Sequence, residues 1–114
     1  MLTIDALSRF GANTKEGMGR CANKDVLYLR LVNMVLDDTR FDRLAAAIES
    51  NDKKAAFENA HALKGSLGNL SLTPLYTPIA EMTEMLRNGE DADYAHLLEE
   101  ILRQRETLLE LRNN

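Results

Sequence analysis

Phe57-Glu58-Asn59-Ala60-His61-Ala62-Leu63-Lys64-Gly65-Ser66-Leu67-Gly68-Asn69-Leu70 is the stretch on which the fold turns. Taken with Ala56 just before it, Ala60, Leu63, Leu67 and Leu70 follow at spacings of 4, 3, 4 and 3. At about 100° per residue that spacing draws one continuous apolar line down a helix. A helix with one apolar line must bury it against other elements, and the rest of the chain offers only helices to do so. Ser50-Asn51-Asp52 gives a turn and cap signal before it, so the helix is expected over about Lys53 to Leu70.

Upstream, Leu2 to Phe10 reads as a short amphipathic piece stopped by Gly11. Residues 11–23, with Gly11, Gly17 and Gly19, read as a loop with room for one helical turn near Lys15 to Met18. Lys24 to Asp38 reads as a helix capped by Asn23, with Leu27, Leu31, Met34 and Val35 on one face and Tyr28 and Val32 widening it. Asp37-Asp38-Thr39 ends it, because two carboxylates oppose the negative C-terminal end of a helix and suit the start of the next. That next helix runs about Arg40 to Ser50, with Phe41, Leu44, Ala45 and Ile48 on one side.

Downstream, Pro74 suits the first turn of a helix carrying Leu75, Ile79, Met82 and Leu86 inward. Pro78 leaves two options open: a kink within that helix, or a later start capped by Thr77. Asn88-Gly89 ends it, and a last helix spans about Ala92 to Leu111. Short loops between long helices make neighbours antiparallel. The expected fold is therefore all-α, an antiparallel four-helix bundle with additional short helices on its N-terminal side, as a single domain over residues 1–114.

Composition narrows the function classes. The 114 residues are 45% hydrophobic and 28% charged, which fits one soluble domain and excludes a disordered chain. Fourteen basic against eighteen acidic side chains give a net charge of −4, without the basic footprint of a nucleic-acid binder. One cysteine, Cys21, excludes an internal disulfide framework and reads as a plain free thiol. No apolar run approaches the roughly 20 residues of a membrane helix, and the first residues show no secretory signal, so a cytoplasmic protein is expected.

The chemistry gathers on the side of the Phe57–Leu70 helix away from its apolar line. Phe57, His61, Lys64, Gly65 and Gly68 form a second stripe, roughly 130° around the helix. His61 is thus expected at the surface or at the rim of a groove. A glycine inside a helix costs about 1 kcal/mol relative to alanine, so two on this stripe call for a reason. Gly65, one turn beyond His61, leaves open space through which a partner can approach the ring; Gly68 fits that use or helix packing equally. Lys64, three residues from His61, can hold a negative group attached to the ring. A neutral imidazole is a good nucleophile near neutral pH, and phosphoryl transfer needs an aligned nucleophile with positive charge around the moving oxygens. No nucleotide loop, metal cluster or second catalytic group accompanies it, so the missing parts must come from a partner protein.

The core His61-Ala62-Leu63-Lys64-Gly65-Ser66 resembles the His-x-Leu-Lys-Gly core of histidine-phosphotransfer domains. Asp52 to Ala60 is similar to the family's segment before the histidine, and Gly68-Asn69-Leu70 to the Gly-Asn-Ile that often follows. Gly17-Met18-Gly19-Arg20 through Tyr28 resembles its N-terminal Gly-Leu-x-Arg…Tyr segment, so the likeness spans about residues 10–90. Leu67 departs from the usual Ala and is expected to repack the seam; Ser71 stands where Gly is common; Glu84 matches the family's Leu-Glu only loosely.

The resemblance implies a phosphorelay intermediate. His61 would take a phosphoryl group from the aspartate of a response-regulator receiver domain, itself charged through a hybrid sensor histidine kinase, and pass it to another receiver. Lys64 would contact the phosphoryl oxygens and Gly65 would admit the receiver's active site. The protein would be a monomeric phosphocarrier without kinase activity or cofactor, any Mg²⁺ being held by the receiver. Ile4, Leu7 and Phe57 are the apolar candidates for the docking surface.

A helical interaction module that binds a partner through the same face without being phosphorylated is the alternative. His96, with no Lys-Gly companion, reads as a surface histidine. A di-metal bundle site is disfavoured, because Glu58-Asn59-Ala60-His61 occurs without the second copy such a site needs.

Overall fold

The structure, a computed structural model, describes residues 1–114 and contains seven helices and no strand. They are α1 (Ile4–Phe10), α2 (Thr14–Gly19), α3 (Asp25–Leu36), α4 (Arg40–Glu49), α5 (Lys53–Asn69), α6 (Thr73–Arg87) and α7 (Tyr94–Asn113). In the bundle α4 packs on α5, α5 on α6 and α6 on α7, and contact between α4 and α7 closes the ring. The short α1 and α2, with α3, stand on its N-terminal side, as the sequence leads one to expect.

Local chemistry sets the helix ends. The Asp52 carboxylate accepts from the Ala55 amide and starts α5, and Asp93 does the same for α7 through Ala95. Asp38 accepts from the Arg40 amide, so the acidic cluster ends α3 and opens α4. On α5 the seam is as the spacing predicts: Ala56, Ala60, Leu63, Leu67 and Leu70 are all buried. Each fully buried leucine contributes about 1.5–3 kcal/mol of transfer free energy. Leu67 lies wholly within this seam, so the larger side chain is absorbed by packing. The helix α6 begins at Thr73 with Pro74 in its first turn and runs on through Pro78, which resolves the two options the sequence leaves. At the far corner Arg105 of α7 donates twice to the Leu36 carbonyl and lies over the Phe41 ring at 4.9 Å, tying the α3–α4 corner to the bundle.

Several expectations need correction. The helical turn expected near Lys15 to Met18 is present and longer, as α2, capped by Asn13. Asn23 does not cap α3; it lies in the left-handed region with φ 57°, beside Ala22 at 56°, and makes the turn between α2 and α3. The inward face of α3 is Tyr28, Val32, Val35 and Leu36, while Leu27 is 36% and Met34 62% exposed. Helix α3 is apolar almost all round, so periodicity cannot choose its buried face. The buried Tyr28 hydroxyl, which donates to the Leu70 carbonyl at 2.8 Å, fits the observed rotation. Burial pushes the Tyr28 phenol up to about 12, so it stays a donor. Leu7 is fully buried and Ile4 packs half-buried against the core, which removes Leu7 as a docking residue and leaves Ile4 little free surface.

The segment 13–28 clasps the C-terminal end of α5. Arg20 Nη1 donates to the Gly68 and Asn69 carbonyls, each at 3.1 Å, and to Ser71 Oγ at 2.8 Å. A cation on the last carbonyls of a helix satisfies orphan acceptors and complements the dipole. The Asn13 amide donates to the Ser71 carbonyl, and Gly17 lies where a Cβ would come within 2.6 Å of the Leu70 carbonyl oxygen. The likeness noted for residues 17–28 therefore describes a clasp on the helix that carries His61.

Ser71 explains its own departure from glycine. Its φ is 55°, a conformation that costs a side-chain-bearing residue about 1 kcal/mol or more. In return its buried hydroxyl accepts from Arg20 and donates to Glu16 Oε1 at 2.8 Å. The Ser71 hydrogen bond and then Arg20 hold the Glu16 carboxyl below the usual glutamate value. Ser71→Ala keeps the strain and loses both bonds, and is expected to lower stability by about 1–2 kcal/mol. Ser71→Gly relieves the strain and should lie closer to the parent. Denaturant midpoints check this; an alanine variant as stable as the parent shows that the hydroxyl holds nothing.

Candidate functional site

The seam faces inward, so the opposite stripe of α5 looks out, and His61 is exposed upon it. The polar side chains near it turn back on their own helix. Asn59 donates to the Ala55 carbonyl, and Ser66 makes a long bond to that of Ala62. No hydrogen bond within the protein reaches either ring nitrogen of His61. The imidazole stacks on Phe57, one turn earlier, with ring centroids 5.5 Å apart and planes 11° from parallel.

Beyond His61 the surface opens into a basin of about 410 Å³, lined by Arg20, His61, Lys64, Gly65, Gly68, Asn69 and Tyr76. Its charged walls are both cationic, Arg20 and Lys64. Arg20 is already bound to the α5 carbonyls and to Glu16, whereas Lys64 enters no salt bridge and remains the free positive charge. A Cβ at Gly65 would meet nothing within 4 Å, so this glycine leaves open space beside the ring.

Gly68 has the other use. A Cβ there would lie 2.9 Å from the Tyr76 ring, so Gly68 admits the α6 tyrosine against α5. Sequence reasoning did not single out Arg20, Asn69 and Tyr76 as lining residues. Arg20 lay within a recognised motif, but nothing local shows that it reaches carbonyls 48 and 49 residues away. His96 is exposed near the start of α7 without comparable neighbours. No group of three or more His, Cys, Asp or Glu side chains is placed to hold a metal ion. No helix is long and apolar enough to cross a membrane.

The family model described as "Hpt domain" matches residues 31–114, the whole four-helix bundle with His61 on its second helix. The chain belongs to the Hpt domain family. Hpt domains carry phosphoryl groups on a histidine in phosphorelays and interact with response-regulator receivers; they are phosphocarriers rather than enzymes. Neither a curated protein nor a solved structure matches the chain. The match begins within α3, so α1, α2 and the Arg20 clasp of this Hpt domain lie outside it, and it extends through α7, past the residue 90 at which the sequence likeness stops.

A second surface adjoins the basin at Asn69. Leu31, Met34 and Val35 of α3 meet Ser66, Asn69 and Leu70 of α5 around a depression of about 250 Å³, with Asp38 at its edge. Together with Leu27 and Val26, the latter 69% exposed, it forms an apolar stripe beside the helix that carries His61.

Proposed function

We propose that this chain is a phosphorelay intermediate in which His61 takes a phosphoryl group from the aspartyl phosphate of one receiver and gives it to the aspartate of another. The observation that carries the reading is an exposed, unpartnered imidazole next to the opening at Gly65, in a basin with cationic walls. A nitrogen lone pair of the neutral ring attacks phosphorus and forms the N–P bond. The acyl P–O bond breaks and the receiver's carboxylate leaves with the bonding electrons. The second ring nitrogen keeps its proton, so the product is a phosphoimidazolium ready to pass the group on by the reverse chemistry. Nε2, the nitrogen farther from the backbone, is the better placed of the two.

Lys64 supplies positive charge to the phosphoryl oxygens, while any Mg²⁺ belongs to the receiver and the phosphoryl group originates in a sensor kinase. The chain itself adds no kinase step and acts as a cytoplasmic monomer. The apolar stripe of α3 rests against the receiver while the basin receives its acyl phosphate. This surface replaces Ile4 and Leu7, and Phe57 serves the ring instead. A modest patch with a polar neighbour suits a partner that must leave after each transfer.

The reading is tested by mixing the protein with a panel of aspartyl-phosphorylated receivers and locating the transferred phosphate. Label labile in acid, stable in base and confined to His61 supports it. Stable binding of receivers with no label on the histidine would favour an unphosphorylated interaction module. Lys64→Ala should slow transfer, or shorten the phosphohistidine lifetime, by about three- to tenfold, as loss of one charge-assisted contact. Rapid-quench time courses and decay rates check it, and unchanged values remove Lys64 from the chemistry.

A further inference from the structure

We propose that Phe57 is a positioning residue for His61: its ring holds the imidazole in the plane along which the N–P bond forms. The proposal rests on phosphotransfer at His61.

The attacking lone pair lies in the imidazole plane. Rotation about the Cβ–Cγ bond of histidine is broad and nearly two-fold, so a solvent-exposed ring with no hydrogen bond sweeps that lone pair through a wide arc. In-line displacement accepts only a narrow part of it. Hydrogen bonds, the usual means of fixing a histidine, are absent here. The one group that defines the ring plane is Phe57, parallel to within 11° at a centroid distance of 5.5 Å, the geometry of an offset stack.

The phenyl ring is itself held from a second helix. The guanidinium carbon of Arg87, on α6, lies 5.4 Å from the Phe57 centroid, and Arg87 is paired with Glu84 at 3.2 Å. Phe57 is off the buried seam and only half-buried, so a leucine could fill its share of the core. What a leucine cannot supply is a flat surface. The wall stands on the N-terminal side of His61 and the opening at Gly65 on its C-terminal side, so the ring is backed on one side and approachable from the other.

The test compares Phe57→Leu and Phe57→Tyr with the parent, in two measurements. The first is the proton NMR spectrum of the two histidines. Ring current from Phe57 should shift the His61 ring protons away from those of the exposed His96; Leu should abolish that difference and Tyr preserve it. The second is transfer from a receiver charged with acetyl phosphate, followed over receiver concentration. Leu should lower the rate at saturating receiver about three- to tenfold with the half-saturating concentration nearly unchanged, and Tyr should restore it.

Equal saturating rates for Leu and parent, or a tyrosine variant as slow as the leucine one, would overturn the proposal. So would parent His61 signals indistinguishable from those of His96. If the parent takes no phosphoryl group from any receiver, the phosphotransfer reading itself fails, and the NMR comparison still reports separately on the stack.

Discussion

His61→Gln is expected to take up no phosphoryl group from any charged receiver while folding as the parent does. Glutamine keeps a polar, flexible side chain of similar reach and has no nucleophilic nitrogen, since its amide lone pair is delocalised. The fold should not notice. His61 is exposed, makes no hydrogen bond that the substitution would orphan, and lies opposite the buried seam. Glutamine is also the better helix former of the two. The substitution gives up only the exposed stack on Phe57, so stability should stay within about 1 kcal/mol of the parent. Circular dichroism and a denaturant midpoint establish the fold, and radiolabel from a phosphorylated receiver establishes the chemistry. The second histidine makes the experiment sharper, because any generic reactivity of exposed imidazoles would still appear on His96. A His61→Gln protein that becomes labelled would place the acceptor elsewhere and end the assignment.

The residues that reveal this site in sequence are those whose signal is local. The α5 seam follows from spacing alone, Asp52 announces the start of its helix, and the His61–Lys64–Gly65 grouping is complete within five residues. What stays short, ambiguous or undecided in sequence depends in each case on something distant. Helix α2 is six residues long, too short to be stable alone, and it sits among contacts that the α5 C-terminus provides: the Gly17 approach to Leu70 and the Arg20 bonds to Gly68 and Asn69. The orientation of α3 is ambiguous because Val26, Leu27, Leu29 and Leu31 surround Tyr28, so apolar side chains stand on nearly every side of the helix. Gly68 looks like Gly65 on a helical wheel, yet one faces Tyr76 and the other faces open space. Only the position of α6 separates them.

Gly65→Gln separates access from chemistry most directly, and its expected effects run in opposite directions. Open space surrounds the Cβ position, so the helix should accept the side chain without a clash. Replacing an interior glycine by a good helix former should stabilise the fold by roughly 0.5–1 kcal/mol, seen as a rise of a few degrees in Tm. The same side chain would stand where a receiver must bring its aspartyl phosphate, one turn beyond the imidazole. Transfer from a receiver should fall by about a hundredfold or more, in keeping with the cost of displacing reactants by an ångström or so. Phosphoramidate, a donor of only a few atoms, should still label His61 at a rate within a few-fold of the parent. A receiver that labels the more stable variant at the parental rate would show that Gly65 admits nothing. Loss of labelling by both donors would place the fault in the imidazole, and Gly65 would then act on the ring's own setting. The outcome expected here, a tighter fold with a reactive histidine that large donors cannot reach, assigns the bare backbone at Gly65 to the passage of a partner protein.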